Sequence, residues 1–465
     1  MIDDQRTWRS FELLIGAYHL AKKLEASSSA QRIGVMVPTS GLFPLSAIAV
    51  WMLGRTLVPL NYLLSCEELA YVIKDAELDV VVTVRPMLEH VGGLPAGVTP
   101  VFLEDLATRG VPPFRRARRL PADEPAVILY TSGTSGRPKG VMLSDENLSA
   151  NVEQCTEWAR FTDGDVLLGV LPQFHSFGLT VLSLLPLAVG CRAIYTARFV
   201  PRRLIQLLRT HRPTAFIAIP SMYNALLSAR DAAPEDFASL RYVVSGGEPL
   251  PAAVYNAFRE KFNITINEGY GLTETSPATH WCRPHEHRVK SVGRALPRVE
   301  TRIVSPEGRE LPVGEDGEIR LRGPNVMKGY FKLPEQTAAV FDEEGWFKTG
   351  DMGRLDAEGF LAITGRIKEM LIIGGENVFP REIEEVLNGH DTVKDSAVIG
   401  MQDESRGEVP IAFVELKEGA TFDEASLRAH CRTLLAGYKV PKEIRVLDAL
   451  PRNATGKIMR RQLRA

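Results

Sequence analysis

The 465-residue chain is 45% hydrophobic and 24% charged, the composition of an ordinary soluble globular protein, and it is long enough for more than one core. Lys and Arg total 55 against 57 Asp and Glu, a formal charge of -2 that excludes a global attraction to nucleic acid or to an anionic membrane; any polyanion has to be held locally. The five cysteines, Cys66, Cys155, Cys191, Cys282 and Cys431, are scattered and form no C-x-x-C pair, which argues against a disulfide framework or a zinc site and for a reducing cytoplasmic setting.

The N-terminus, MIDDQRTWRS, lacks the basic start and apolar run of a signal peptide. RIGVMVPTS and DVVVTV then read as short apolar strands, and the basic FRRARRL cluster (Phe114 to Leu120) as a solvated linker with no assigned function. From Ala126 one pattern repeats: an apolar strand, a turn of small residues, an amphipathic helix. AVILY leads through YTSGTSGRPKG to a helix capped by Ser144 ahead of DENLSANVEQ. The apolar GLTVLSLLPLAVG run (Gly178 to Gly190) is too short to span a bilayer and holds a proline, so it predicts a buried helix, with peripheral membrane contact left open.

TAFIAIP then leads into SMYNALLSAR, LRYVVS through GGEPL into PAAVYNAFREKF, and ITIN (Ile264 to Asn267) into EGYGLTETS. Strand and helix in alternation predict a mainly parallel sheet covered on both faces. After about Ser291, TRIVS and GEIRLRG with the turns PEGRE and GEDGE predict antiparallel hairpins. Near Gly365 the texture becomes α+β, with Pro380 at a first helical position before REIEEVL and a second amphipathic helix in FDEASLRAHCRTLL. The predicted fold class is therefore α/β. A large N-terminal domain (1–365) of parallel α/β sheets carries a β-rich subdomain at about 291–365, and a small α+β C-terminal domain (366–465) follows, with the boundary in TGRIKEM.

In an open α/β sheet ligands bind beyond the carboxyl ends of the strands, where YTSGTSGRPKG, SGGEPL and EGYGLTE all fall. The first offers the hydroxyls of Thr131, Ser132, Thr134 and Ser135, backbone N–H groups freed for close approach by Gly133 and Gly136, and the Lys139 ammonium. These are groups that cradle a polyphosphate. It is not a Walker A loop, because Arg-Pro follows Gly136 where that pattern needs Gly-Lys-Ser/Thr together. Spacing alone leaves a plain connection and a phosphate site equally open.

Taken together, these stretches resemble the adenylate-forming superfamily of acyl-CoA synthetases, adenylation domains and luciferases. YTSGTSGRPKG resembles its phosphate loop, EGYGLTET its adenine and magnesium motif, KTGD (Lys348 to Asp351) and GRIKEMLIIGGENVFPREIE (Gly365 to Glu384) its ribose and hinge motifs, and PRNATGKIMRRQL (Pro451 to Leu463) its C-terminal lysine motif. The matches run in the family's order from about Arg32 to the end.

The resemblance implies ATP and Mg2+, with CoA as cosubstrate, and two half-reactions: a carboxylate attacks the α-phosphate to give acyl-adenylate and pyrophosphate, then a thiol takes the acyl group and releases AMP. It places Thr131 to Gly136 and Lys139 on the phosphates, and Glu274 with Thr131 on the metal. Gly246, Gly247, Glu248, Asn267, Glu268 and Gly269, with Gly271 and Thr273, border the adenine, and Tyr270 lies against it. Asp351 takes the ribose hydroxyls and Arg366 the ribose or the phosphate. Lys457 becomes the adenylation lysine on a mobile small domain, Lys368 its hinge, and Gly374 and Gly375 line the thiol tunnel. Taken alone, these residues have plainer readings as a loop glutamate, a core aromatic, a surface ion pair, a turn or a tail lysine.

His175 in PQFHSFGL resembles the family histidine beside the carboxylate pocket. No acid occurs from Leu171 to Val189, where an amino-acid-activating domain would carry one for the substrate amine. This suggests a mostly apolar acyl pocket of Phe177, Val181, Met222 and Tyr223, with Gly246, Gly271 and Ser276 leaving depth. The expected activity is that of a fatty-acid-type acyl-CoA ligase. An acyl-carrier-protein ligase working in trans, an aromatic acid ligase and a catalytically inactive nucleotide-binding protein stand as alternatives.

Overall fold

The computed structural model describes residues 1–106, 110, 112, 114–131, 137–403, 406–452 and 456–464. Among them two seven-stranded sheets form the body of a large N-terminal domain. Both follow one plan. In the first, the strands Val127–Thr131, Thr56–Pro59, Arg32–Met36, Val80–Thr83 and Thr99–Phe102 lie parallel, and Lys139–Leu143 and Gly329–Tyr330 extend the sheet antiparallel at one edge. In the second, Asn267–Gly271, Tyr242–Ser245, Ala215–Ala218, Val166–Gly169 and Arg192–Tyr195 are parallel, and Ala278–Trp281 and Arg294–Ala295 continue antiparallel. The central strands are mostly apolar and buried on both faces, as parallel strands under covering helices must be.

Helix signals fall where local chemistry puts them. Ser144 caps the Asp145–Ala159 helix, its hydroxyl accepting the Asn147 N–H while the Asn147 side chain accepts the Ser144 N–H. Pro380 opens the Pro380–Asn388 helix, and Asp423 caps Glu424–Leu434. The run from Gly178 is helical and largely buried through Pro186, with Leu187 and Ala188 exposed at its end, and Gly178–Leu184 winds with π pitch before Leu185–Val189 continues as α. Two expected elements are displaced. The phosphate-type loop does not lead from strand to helix, because the strand Lys139–Leu143 intervenes and pairs back on Val127–Thr131. ITIN is not the next strand: Asn267–Gly271 is, so EGYG lies within the sheet. Both departures share a feature, an antiparallel hairpin partner close in sequence: Lys139–Leu143 folds back on Val127–Thr131, and Ala278–Trp281 on Asn267–Gly271.

After Ser291 four antiparallel strands, Glu300–Val304, Gly317–Arg322, Phe347–Leu355 and Leu361–Arg366, form a third sheet. A fourth begins at Leu371 and builds the small C-terminal domain, with Gly407–Leu416 as its central strand paired along its length with Val393–Asp403 and the Pro380–Asn388 and Glu424–Leu434 helices packed on its core. The small domain touches the large one: Arg381 Nη1 donates to the Ile363 carbonyl at 2.8 Å, and Lys290 pairs with Glu385 at 3.4 Å. The basic cluster is strapped down rather than freely solvated, since Arg115 and Arg118 both pair with Glu25 of the N-terminal Ser10–Ser27 helix. No helix among the described residues is long and apolar enough to cross a membrane.

Candidate active site

Thr131 ends its strand directly opposite Lys139, so the two residues that flank the glycine-rich segment are held as cross-strand neighbours. Ser132, Gly133, Thr134, Ser135 and Gly136 lie outside the described residues. The Lys139 ammonium stands 5.0 Å from the centre of the Tyr330 ring, and burial, then Lys368, lowers its pKa while Glu274 opposes the shift. Glu274 accepts a hydrogen bond from the Tyr330 hydroxyl at 2.9 Å. Burial raises the Glu274 pKa; its own backbone N–H, Tyr330 and Arg366 pull the other way. A half-enclosed carboxylate of this kind is suited to a cation. Among the described residues no group of three or more His, Cys, Asp or Glu side chains could hold a metal ion by itself. A single, partly buried carboxylate such as Glu274 is the kind of protein oxygen magnesium takes, one or two at a time, with phosphate and water completing its shell.

On the other side of the cleft, Asp351 and Arg366 face each other across the Phe347–Leu355 and Leu361–Arg366 strands and pair at 2.8 Å. The second Asp351 oxygen accepts the Tyr270 hydroxyl at 2.7 Å. Asp351 is almost fully buried, and its charge holds Arg366 above its usual pKa. Gly246, Gly247 and Glu248 follow the strand Tyr242–Ser245, while Asn267, Glu268, Gly269, Tyr270 and Gly271 form the strand beside it; Thr273 meets Ser176 at 3.4 Å. Burial pushes the Glu268 carboxyl up to about 7, although it accepts the Leu250 N–H.

Lys457 connects the two domains. Its ammonium lies in the fields of Arg366, Glu248, Glu369 and Asp351, and burial followed by Arg366 lowers its pKa. It also bears on His175, whose imidazole is pushed down to about 4, first by the protein around it and then by Lys457. His175 still presents surface to the cleft, as a side chain in a concavity can. Its Nδ1 accepts the Phe177 N–H at 3.4 Å, which leaves the proton of the neutral ring on Nε2.

The expected acyl pocket divides. His175, Phe177 and Met222 present surface, and Gly246 lies under the Phe177 ring. Val181 and Tyr223 do not: both are fully enclosed in packed cores, with the Tyr223 hydroxyl donating to the Val244 carbonyl at 2.7 Å. Ser276 is also enclosed, its hydroxyl donating to the Asn325 carbonyl. Gly271 is small for another reason, since a Cβ there would sit 1.9 Å from the Pro277 carbonyl oxygen. Lys368 lies in the turn Ile367–Glu369 between the third and fourth sheets. Gly374 and Gly375 are the exposed turn of the hairpin pairing Ile373 with Glu376, both with φ in the left-handed region. Tyr330, absent from the sequence reading, belongs to the site; MKGYFK carries no spacing that marks it.

The AMP-binding enzyme family model matches residues 2–331, and the AMP-binding enzyme C-terminal domain model matches 382–457. The chain belongs to the AMP-binding enzyme family. Among curated relatives in this family, the long-chain-fatty-acid–CoA ligase of Bacillus subtilis is 34% identical, covering 97% of this chain and 89% of the relative. The sulfoacetate–CoA ligase of Cupriavidus necator is also 34% identical, covering 94% and 87%. ATP-bound MatB from Rhodopseudomonas palustris superposes with a TM-score of 0.91 at 35% identity over 99% of this chain and 93% of that one; the same protein without ATP gives 0.80. This AMP-binding enzyme is an AMP-forming acid–CoA ligase with the adenylate-forming fold.

Proposed function

We propose that this ligase activates a monocarboxylic acid with an apolar body, a fatty acid by class, and passes it to CoA. The observation that carries the adenylating part of this reading is the placement of Lys457, which bears on His175 on the acyl side and lies in the fields of Arg366, Glu248 and Asp351 on the nucleotide side. Two relatives equal in identity act by name on a long-chain fatty acid and on sulfoacetate, so relatedness does not select the acid. The apolar surfaces of Phe177 and Met222, and a segment 171–189 without any Asp, Glu, Lys or Arg, support the alkyl reading.

In the first half-reaction a carboxylate oxygen attacks the α-phosphorus and pyrophosphate leaves, so two anions must be brought together in line. Lys457 sets its charge between them. His175, neutral at pH 7, donates from Nε2 to the carboxylate without repelling Lys457. Asp351 accepts the ribose hydroxyls on its remaining lone pairs, and Arg366 steadies it. Lys139 and Thr131 take the outer phosphates. Magnesium, held by Glu274 with Thr131, supplies charge neutralisation to the phosphates when bound. In the second half-reaction the small domain turns about Lys368, Gly374 and Gly375 line the thiol's path, and the CoA sulfur displaces AMP.

Pyrophosphate release with ATP and magnesium is measured over short alkyl, long alkyl and aryl acids, each with CoA, with a carrier protein or alone. An optimum among alkyl chains with CoA-dependent AMP formation is expected. An aryl optimum would replace the fatty-acid reading, dependence on carrier protein would replace the acceptor, and silence over the panel would leave nucleotide binding alone. Lys457→Ala is expected to lose adenylation by ~10²-fold, the scale of a removed electrostatic group, while thioester formation from preformed acyl-adenylate survives. Equal loss in both steps would refute the role given to Lys457.

A further inference from the structure

Three segments far apart in sequence meet on one side chain. Tyr330 lies at the end of the edge strand Gly329–Tyr330, paired with Val141 next to the strand start at Lys139. Its hydroxyl donates to Glu274 Oε1 at 2.9 Å, and its ring face receives the Lys139 ammonium at 5.0 Å. The neighbouring backbone is tied at three points: Met327 N–H to the Glu274 carbonyl at 2.8 Å, Lys328 N–H to the Met142 carbonyl at 3.0 Å and Phe331 N–H to the Gly140 carbonyl at 2.7 Å. Tyr330 is itself buried, and the Thr337 hydroxyl accepts its N–H.

Lys139 and Glu274 carry opposite charges, and Glu274 bears on the Lys139 ammonium, yet among the described residues no direct ion pair joins them. The tyrosine holds them on different parts of one ring, the cation against the π face and the carboxylate at the hydroxyl. A cation and a carboxylate left alone in such a cleft would pair and spend the two groups that a metal-bound triphosphate needs. From this geometry we infer that Tyr330 is a positioning residue for ATP with its magnesium: it fixes the Glu274 carboxylate for the metal and keeps Lys139 apart and available for phosphate. The inference rests on the reading of Glu274 as the magnesium carboxylate.

The test uses the full chain without acid or CoA, and reads binding by calorimetry. Tyr330→Phe keeps the ring and loses only the hydroxyl. It is expected to require about 10-fold more free Mg2+ for half-maximal ATP binding, the scale of a hydrogen bond to a charged group, with AMP affinity and melting temperature close to wild type. Tyr330→Leu also removes the ring, and is expected to weaken ATP binding further even at saturating Mg2+, as Lys139 collapses onto Glu274. Equal weakening of AMP and ATP in Tyr330→Phe would mean a merely structural tyrosine, and no change in either would refute the inference. Glu274→Gln in parallel separates the two readings. Magnesium dependence unchanged in Glu274→Gln overturns the metal assignment itself, whereas a shift there and none in Tyr330→Phe overturns only the role of the tyrosine.

Discussion

At Gly246 the missing side chain leaves room for the Phe177 ring on the proposed acyl side. A Cβ there would stand 3.0 Å from the Phe177 ring, so a bulkier side chain requires the ring beside the proposed acyl site to shift. Gly246→Val is expected to lower kcat/KM for long-chain acids by ~10-fold relative to short ones, the scale by which a methylene or two is sensed in an apolar pocket. A chain-length panel measures this, and an unchanged ratio would remove Gly246 from the pocket wall. Residue type alone could nominate Gly246 and Tyr223 together for this pocket. The structure parts them, because the tyrosine's ring packs between Phe216 and Phe258 and its hydroxyl is taken by backbone.

Individual elements show a division between the two ends of the second sheet. At the carboxyl ends of its strands lie the candidate site residues; at the amino ends one carboxylate ties three strands together. Asp165, just before Val166–Gly169, accepts the Thr214 hydroxyl at 2.7 Å ahead of Ala215–Ala218 and a two-point Arg241 pair ahead of Tyr242–Ser245. Burial alone would raise its pKa, but Arg241, Thr214 and the Thr162 N–H hold it at about 2. With a folded pKa below the unfolded value near 3.9, its stabilisation is complete above about pH 4 and is lost as pH falls toward 2. Asp165→Asn is expected to cost roughly 2 kcal/mol in urea at pH 7, a value reduced for the half-exposed Arg241, and to flatten stability between pH 4 and 2. Adenylation by the folded protein should be unaffected, since the site lies at the other strand ends; a loss there without a loss of stability would contradict this division.

For the whole molecule the proposed mechanism makes the arrangement of the two domains decide which half-reaction is served. The match to MatB is closer with ATP bound, 0.91 against 0.80, and Lys457 is turned into the cleft while the Gly374–Gly375 turn is exposed. This suits the adenylating arrangement, and the rotation proposed for the thiol step falls at Lys368. Lys368→Pro, which fixes φ at the hinge, is expected to retain pyrophosphate release and to lose ~10²-fold in thioester formation, the scale of misplaced reacting groups. Single-turnover measurement of each step separates them, and equal rates to wild type in both would move the hinge elsewhere.

The sequence by itself determined the features that a few adjacent residues can specify. The caps at Ser144 and Asp423, Pro380 at a helix start, the apolar parallel strands and the order of the motifs all follow from local hydrogen-bonding and backbone preferences. Only the tertiary structure decided which distant segment completes a sheet edge or a charge pair. The edge strand Gly329–Tyr330 on Lys139–Leu143, and the meeting of Tyr330 with Lys139 and Glu274, join segments far apart in the chain, whereas the hairpins at Lys139–Leu143 and Ala278–Trp281 and the opposition of Asp351 to Arg366 join near neighbours whose pairing no local motif marked. A strand edge or a buried charge needs a partner, but nothing local in the chain says which one folding will bring to it.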